Sequence, residues 1–296
     1  MNLLVWTLAV PLATAAIGAL NGPRKFKEAV MIGGLAITFV LCIATARQFL
    51  GGAIPAAFGE ALRVDGLSAL VVVLSGFVGL LSGTYAVGYL RRNEARNLVT
   101  PRMRREIHGL LPAYVFATLL VSMTNNLGIM WIAVELTTLA SVFLITFHDR
   151  DTSLEAAWKF LVLGSLGLGF ALLGIVLLFA AGEEHLGEGL SALNWTRFMQ
   201  VAPSLHPFTL RLGVVFALIG YGTKAGLAPM QCVDGGLHAE RRSVLRAAHS
   251  SHFQCGIGPR VFRRPPAHAG SAVGVHRDSI HSGAVESEAA AGVFEH

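Results

Sequence analysis

Long apolar segments, separated by short polar links, dominate the first 230 residues of the chain. Crossing a bilayer takes about 20 helical residues at a rise of about 1.5 Å each. The pattern therefore predicts an all-α, polytopic transmembrane helix bundle with about seven spans. The predicted spans cover residues 3–20, 29–48, 66–90, about 110–124, 129–147, about 156–181 and about 209–230.

The last part of the chain has a different composition. Residues 231–296 contain no apolar span and are rich in Arg, His, Ser and Pro. We therefore divide the sequence into a transmembrane region, residues 1–230, and a tail, residues 231–296. The tail is expected to be disordered, because it has too little apolar surface to bury.

Composition and charge agree with a membrane protein. Apolar residues make up 53% of the chain, charged residues 14%, and the mean hydropathy is +0.59, whereas soluble domains average about 25% charged residues. The net charge of +5 does not indicate nucleic-acid binding, because the basic residues lie mainly in links between apolar runs. Their distribution predicts an inner-membrane protein with its N-terminus outside and its tail in the cytoplasm. The most basic link, residues 91–109, is expected to be a solvated loop near anionic lipid.

Two of the predicted spans carry opposite charges. Glu135 lies in the middle of segment 125–147, and Lys224 is the only charge in segment 212–230. A charge at membrane depth costs at least about 2.5–3.5 kcal/mol, so it is usually buried near a partner or beside a water-filled path. The two residues are therefore candidates for a proton relay. The alternative is a static ion pair that helps two helices associate.

The segment around Lys224 contains residues that weaken helices. Gly222, Gly226 and Pro229 lie within a few residues of the charge, and such residues favour a break in the helix. A broken span is tolerated where it lines a cavity or packs within protein. The pattern predicts a discontinuous seventh helix, with small-residue helix packing as the alternative.

Lys159 is the third candidate proton carrier. It lies four residues after Glu155 at the start of the sixth span. This spacing is typical of an i,i+4 ion pair at the membrane interface, worth a few tenths of a kcal/mol. The second interpretation makes Lys159 an intermediate carrier between the loop and the bundle interior.

The sequence shows no cofactor motif. Cys42, Cys232 and Cys255 do not have metal-ligand spacing, and Cys42 is expected to be a small buried side chain in an apolar span. His249, His252 and Cys255 have a spacing that could seat metal ligands on one helix turn. A chance His-rich tract is the favoured interpretation, so no metal or cofactor site is assigned to this chain.

Three runs of the sequence resemble a known family. They read N-N-L-G-I-M-W-I-A-V-E-L-T-T-L-A-S, T-S-L-E-A-A-W-K-F-L-V-L-G-S and G-Y-G-T-K-A-G-L-A-P-M. The runs resemble the proton-pumping, antiporter-like membrane subunits of complex I and group 4 hydrogenases. They are most similar to hydrogenase-4 component F of formate hydrogenlyases. The resemblance extends over roughly residues 65–230.

The resemblance implies roles for the candidate residues. Glu135 matches the fifth-helix glutamate of the family, Lys224 the lysine of the discontinuous seventh helix, and Lys159 a lysine on the sixth helix. In the family such residues form a chain of protonatable groups. Redox chemistry takes place in partner membrane and peripheral subunits, which are expected to hold iron–sulfur and nickel–iron or flavin centres. The partner complex would oxidise formate, hydrogen or a reduced nicotinamide.

Two other functions remain open at this stage. The chain could be a subunit of a multi-subunit sodium/proton antiporter, or a truncated fragment with at most a structural role. The second alternative arises because the sequence leaves the family pattern after Ala228-Pro229-Met230. Codons that encode Val-Asp-Gly at residues 233–235 can encode Trp-Met-Ala when the reading frame is shifted by one base. We therefore expect that a frameshift near residue 230 produced the tail.

Overall fold

The computed structural model describes residues 2–94, 96, 99–146, 151–186 and 190–225. These residues are almost entirely helical, which confirms the prediction of an all-α helix bundle. The helices are α1 (Leu3–Ala19), α2 (Arg24–Leu50), α3 (Gly66–Glu94), α4 (Pro101–Met123), α5 (Leu127–Ile145), α6 (Asp151–Leu186), α7 (Trp195–Val201) and α8 (Pro207–Ala225). Two-residue strands β1 (Ala56–Ala57) and β2 (Leu62–Arg63) pair as an antiparallel hairpin, and 3-10 turns cover Leu190–Leu193 and Ala202–Ser204.

Each predicted span corresponds to a helix. Within the described residues, five helices are long and apolar enough to cross a membrane, namely α2, α3, α4, α5 and the part Ala157–Gly182 of α6. Helix α1 is apolar but has 17 residues. Helix α8 corresponds to the seventh predicted span and carries Arg211 near its start and Lys224 near its end. The chain is therefore a multi-pass membrane protein.

The structure corrects the prediction of a solvated loop at 91–109. Helix α3 continues to Glu94, and α4 begins at Pro101, well before its apolar part. The Thr100 hydroxyl caps α4 by accepting a hydrogen bond from Met103 N at 3.3 Å, and a proline at the first helical position suits a helix start. Hydropathy alone does not identify the last turn of α3 or the first turns of α4 as helical, because their side chains are charged.

Glutamate side chains link the basic residues at these helix ends through ion pairs. Glu28 is nearly buried and accepts from Arg91 at 2.6 Å and from Arg24 at 2.8 Å. Glu94 binds the same Arg24 at 2.9 Å and Arg104 at 2.5 Å. This network joins α2, α3 and α4 at one end of the bundle, which we call the arginine end.

The opposite end is held by hydrogen bonds to backbone atoms. The side chain of Asn2 donates to Ala56 O of the hairpin at 3.1 Å. Asn125, between α4 and α5, donates its backbone N–H to Ala61 O at 2.8 Å and accepts from Trp195 N at 2.7 Å. We call this end, formed by the hairpin, the α4–α5 link and the start of α7, the hairpin end.

Glycines bring α6 and α8 into close contact. A Cβ atom built on Gly174 would overlap the backbone of Ala217, and one built on Gly220 would overlap the backbone of Ala171. Because neither position has a side chain, the two backbones can approach closely. Small-residue packing therefore describes the contact between α6 and α8 at Gly174 and Gly220.

The predicted helix break does not lie at Gly222. Helix α8 is continuous to Ala225, and Gly222 is buried inside it. Gly226 and Pro229, the other predicted break positions, lie outside the described residues, as does the tail 231–296.

Candidate functional site

Lys224 reaches from α8 across to α5. Its Nζ atom donates a hydrogen bond to Thr138 Oγ1 at 2.5 Å. The same Nζ lies 5.1 Å from the centre of the Phe160 ring on α6. An ammonium over an aromatic face is attracted by the ring electrons, more strongly where water is excluded. The half-buried lysine thus has a polar and an aromatic contact on two different helices.

Thr138 is suited to receive the lysine. The residue is fully buried, and its hydroxyl donates to Val134 O at 3.1 Å, one turn earlier in α5. A hydroxyl has one donor and two acceptor positions. Its proton is therefore used by the backbone, which leaves an oxygen lone pair for Lys224.

Glu135 lies one helical turn before Thr138 on α5. Ser165 Oγ of α6 donates to Glu135 Oε1 at 3.1 Å. The other carboxyl oxygen, Oε2, is buried and finds no hydrogen-bond partner in the described part of the chain. Buried polar atoms are paired in the great majority of cases, so an orphaned carboxyl oxygen requires an explanation.

The structure brings the two predicted residues to one junction of α5, α6 and α8. Residues three apart on a helix have Cβ atoms about 5–6 Å apart, so the threonine that holds Lys224 is a neighbour of Glu135.

Lys159 lies on α6 and is half-buried. It directly precedes Phe160, whose ring contacts Lys224, and lies six residues before Ser165. Lys159 thus lies on α6, and Glu135 and Lys224 each contact a residue of this helix. The side chain of Glu155, the alternative partner of Lys159, lies outside the described residues.

The cysteine and metal predictions have different outcomes. Cys42 is fully buried in the apolar core, as predicted. Within the described residues, no group of three or more His, Cys, Asp or Glu side chains could hold a metal ion. His249, His252 and Cys255 lie outside this part of the chain.

Sequence analysis did not identify three hydroxyl groups near the charges. Thr138 and Ser165 contact Lys224 and Glu135, and Tyr221 lies one turn before Lys224 with a buried hydroxyl that has no partner among the described residues. Thr138 and Tyr221 could have been found from their i,i+3 spacing to the charges. No local signal marks Ser165, because its contact joins residues 30 positions apart.

Known proteins are similar to this chain in sequence. Hydrogenase-4 component F homolog from Methylacidiphilum infernorum is 32% identical over 192 residues, which cover 65% of this chain and 40% of the relative. NADH-quinone oxidoreductase subunit N from Chloroflexus aggregans is 27% identical over 219 residues, covering 71% of this chain and 40% of the relative. The chain thus spans about 40% of the length of these relatives.

Two solved structures have a similar fold. A chain of respiratory complex I from Thermus thermophilus with bound aureothin aligns with a TM-score of 0.58 and 26% identity, over 77% of this chain and 45% of that one. A chain of the membrane-bound sulfane sulfur reductase, an archaeal respiratory membrane complex, aligns with a TM-score of 0.65 over 79% of this chain and 47% of that one. At 17% identity, the second likeness concerns the fold alone.

A family model matches the part of the chain that holds Glu135, Lys159 and Lys224. Residues 124–232 match the transmembrane domain of the NADH:quinone oxidoreductase/Mrp antiporter family. This agrees with the resemblance identified in the sequence runs around the three residues. This part of the chain is therefore similar to the antiporter-like membrane subunits of this family.

Proposed function

We propose that the chain is a membrane subunit of an oxidoreductase complex, in which electron transfer in partner subunits drives proton translocation through buried Glu and Lys side chains. The observation that carries this proposal is the placement of Lys224 against Thr138, one helical turn from Glu135. One carboxyl oxygen of Glu135 lacks a hydrogen-bond partner among the described residues. The relatives named above are a hydrogenase component and a quinone oxidoreductase subunit. They favour a redox complex over a sodium/proton antiporter.

Glu135 and Lys224 form the proposed exchange pair. A carboxyl group in this environment is ionised when a cation approaches and takes up a proton when the cation leaves. Lys224 can move between Thr138 and Glu135 by rotating its flexible side chain, since both lie on the same face of α5. Such a movement changes the charge that Glu135 experiences, and the site can then accept or release a proton.

Lys159 is the proposed intermediate carrier. Its support is its half-buried position on α6, the helix that also supplies Ser165 to Glu135 and Phe160 to Lys224. A lysine on this helix can pass a proton toward the junction without a large rearrangement of the backbone. Its role is independent of the exact conformation of Lys224.

The proposed location is the inner membrane, with the arginine end in the cytoplasm and the N-terminus outside. Basic residues concentrate at the arginine end, as the positive-inside rule requires of the cytoplasmic side. Asn2 contacts the hairpin, so the N-terminus lies at the opposite end of the bundle. The basic residues of the arginine end are Arg24, Lys25, Lys27, Arg91, Arg92, Arg96, Arg102, Arg104 and Arg105.

The proposed partners are other membrane and peripheral subunits of the complex. Iron–sulfur and nickel–iron or flavin centres would reside in those subunits, and formate, hydrogen or a reduced nicotinamide would supply electrons. The transmembrane region 1–230 would carry the proton path of this chain. Sequencing the coding DNA across codon 230 tests the frameshift interpretation of residues 231–296: a single-base correction should restore apolar spans.

One experiment separates the proposal from its rivals. Membrane vesicles with and without the chain are supplied in turn with formate, hydrogen or NADH, and proton uptake is measured together with electron transfer. The proposal predicts donor-driven uptake that falls when the chain is removed. Uptake that needs sodium and no donor would favour an antiporter, and unchanged uptake would indicate a fragment without a role in translocation.

A further inference from the structure

A cleft of about 620 Å³ opens at the hairpin end, between α5, α6 and α8. Polar side chains form its mouth, among them Arg63 of β2 and Asp65, which directly precedes α3. The inner walls are apolar and include Met130 on α5, Ile175 on α6 and Val214 on α8. The cleft therefore changes from charged to apolar as it runs into the bundle.

The two charges at the mouth lie on the same side of the chain. Leu62 and Val64 are buried, whereas Arg63 and Asp65 are not, as expected of an extended segment whose alternate side chains face opposite ways. At a rise of about 3.3 Å per residue, the Cα atoms of Arg63 and Asp65 lie roughly 7 Å apart. The mouth therefore presents one positive and one negative group side by side.

Both charged groups have capacity for a further partner. Arg63 Nη1 lies 3.8 Å from Glu60 Oε2, longer than the roughly 2.7–2.9 Å of a charge-assisted hydrogen bond. Asp65 Oδ1 accepts from Ser68 N at 2.7 Å. A guanidinium has five N–H donors, and a carboxylate can accept at about four positions. A ligand with both an anionic and a cationic group would therefore match the mouth.

The apolar part of the cleft is open toward the bilayer. Val214 and Leu218 line it on α8, and Leu218 is 63% exposed. The lining on α8 extends from Val214 to Tyr221, about 10 Å at a rise of about 1.5 Å per residue. Apolar walls offer water few hydrogen-bond partners, and an empty groove loses dispersion contacts. A hydrocarbon chain from the bilayer fills the groove without either cost.

We propose that the cleft binds one phospholipid with a phosphoethanolamine headgroup. The phosphate accepts hydrogen bonds from Arg63, and the ammonium donates to Asp65. One acyl chain lies along Val214 and Leu218. A guanidinium matches phosphate oxygens with paired donors, and a primary ammonium supplies N–H donors to a carboxylate. This lipid site does not depend on proton translocation by the chain.

Two other occupants would give different results. Phosphatidylglycerol carries the phosphate but has no cation for Asp65, so the carboxylate repels it. A protein segment that covers α8, from a partner subunit or from a longer form of the chain, would exclude any acyl chain. The proposal therefore predicts both an occupied cleft and a preference for ethanolamine.

Photo-crosslinking tests the occupancy. The full chain is placed in phosphatidylcholine vesicles with a small fraction of phosphatidylethanolamine that carries a diazirine in one acyl chain, and peptide mass spectrometry locates the adducts. Leu218 should be labelled at least about threefold more than Leu74 on α3, since even an exposed charge pair gives a preference of this size. Leu74 is 57% exposed and lies outside the cleft. Equal labelling of the two residues would overturn the proposal.

Filling the cleft should displace the acyl chain. Val214→Trp places a large ring in the cleft, and Val215→Trp places the same ring beside it on a similarly exposed position of α8 that does not line the cleft. Labelling of Met130, inside the cleft, should fall to the level of Leu74 in the first variant and persist in the second. The same labelling of Met130 in both variants would contradict the proposed position of the chain.

The headgroup is tested with a second probe, phosphatidylglycerol with the same diazirine. The unsubstituted chain should be labelled about threefold more by the ethanolamine probe. Asp65→Asn should remove this preference while retaining the helix cap, because Asn caps helices as well as Asp. Arg63→Gln should weaken labelling by both probes, and Arg47→Gln, exposed at the end of α2, should change neither.

The outcome is independent of the proposed function, because the vesicles receive no electron donor. Equal labelling of the unsubstituted chain by the two probes would overturn the recognition of ethanolamine. An unchanged preference in Asp65→Asn would do the same. If the cleft is labelled as predicted while Glu135→Gln keeps normal proton uptake, the proposed function fails and the lipid site stands.

Discussion

Lys224 is bound to Thr138, with its Nζ atom 2.5 Å from the threonine hydroxyl oxygen. This contact joins α8 to α5 at a point one turn from Glu135. The hydrogen bond places the end of Lys224 beside the helix that carries Glu135, as the proposed proton exchange between the two residues requires.

Removing the threonine hydroxyl should disturb the site. Thr138→Val keeps the shape of the side chain and removes the acceptor of Lys224. A hydrogen bond to a charged group contributes about 1.5–3 kcal/mol, so proton uptake should fall by at least about tenfold. Thr137→Val is the matched control, since the Thr137 hydroxyl donates to Val134 O, whereas Lys224 donates to the Thr138 hydroxyl. Equal losses in the two variants would contradict a specific role of Thr138.

Lys159 should affect the rate of proton uptake if it is a carrier. Lys159→Gln keeps a polar side chain of similar length but cannot carry a proton, so uptake should fall by about tenfold or more. Lys25→Gln, an exposed position at the arginine end, should leave the rate unchanged. Uptake by Lys159→Gln at the rate of the unsubstituted complex would favour the interfacial ion-pair interpretation.

Close packing of α6 on α8 should make Gly174 sensitive to substitution. In Gly174→Ala the new Cβ atom would overlap the backbone of α8, and overpacking typically costs about 1–3 kcal/mol. Gly169→Ala, on the same helix, meets no atom within 4 Å. It should be neutral or stabilising, because alanine favours a helix over glycine by about 1 kcal/mol. Thermal unfolding in detergent measures both, and equal unfolding temperatures would contradict the packing.

Asp65 should make the start of α3 sensitive to acid. Its Oδ1 accepts from Ser68 N at 2.7 Å, and this backbone hydrogen bond holds the pKa of the carboxyl group below its ordinary value. A lowered pKa in the folded state stabilises the protein above the ordinary pKa of Asp. The contribution is lost as the pH falls through the lowered value. Removing such a cap costs about 1 kcal/mol.

The pH dependence of unfolding separates the charge from the cap. Asp65→Ala should unfold at a lower temperature than the unsubstituted chain at pH 7. The difference in unfolding temperature between the two should become smaller at low pH. Asp65→Ser keeps a hydrogen-bond acceptor that does not titrate. The Ser variant should therefore stay close to the unsubstituted chain at pH 7. A constant difference between Asp65→Ala and the unsubstituted chain at all pH values would contradict this account.

The sequence was sufficient for the helices and for the two charges, but not for their contacts. Apolar length placed seven helices, because a bilayer imposes one length scale on every span. Apolar length misplaced the start of α4, since the charged residues after Pro101 lower the hydropathy of a segment that is still helical. It also missed α7, whose buried Phe198 lies in a stretch that reads as a polar link.

The details of the site depend on contacts between distant parts of the chain. Lys224 and Thr138 are 86 positions apart, and Ser165 and Glu135 are 30 apart. No periodicity in the sequence indicates that residues so far apart along the chain are in contact. The structure was needed to show that α6 stands between α5 and α8 and supplies contacts to both charges.

Proton uptake by the Glu135→Gln variant tests the central claim most directly. Vesicles that contain the complex receive its electron donor, and uptake is compared between the unsubstituted chain, Glu135→Gln and the control Glu60→Gln at the hairpin end. Glutamine keeps the size of the side chain and the contact with Ser165 but cannot exchange a proton. We predict that Glu135→Gln lowers uptake by roughly 10²-fold while Glu60→Gln does not. Equal uptake in all three would contradict the claim that Glu135 and Lys224 exchange protons.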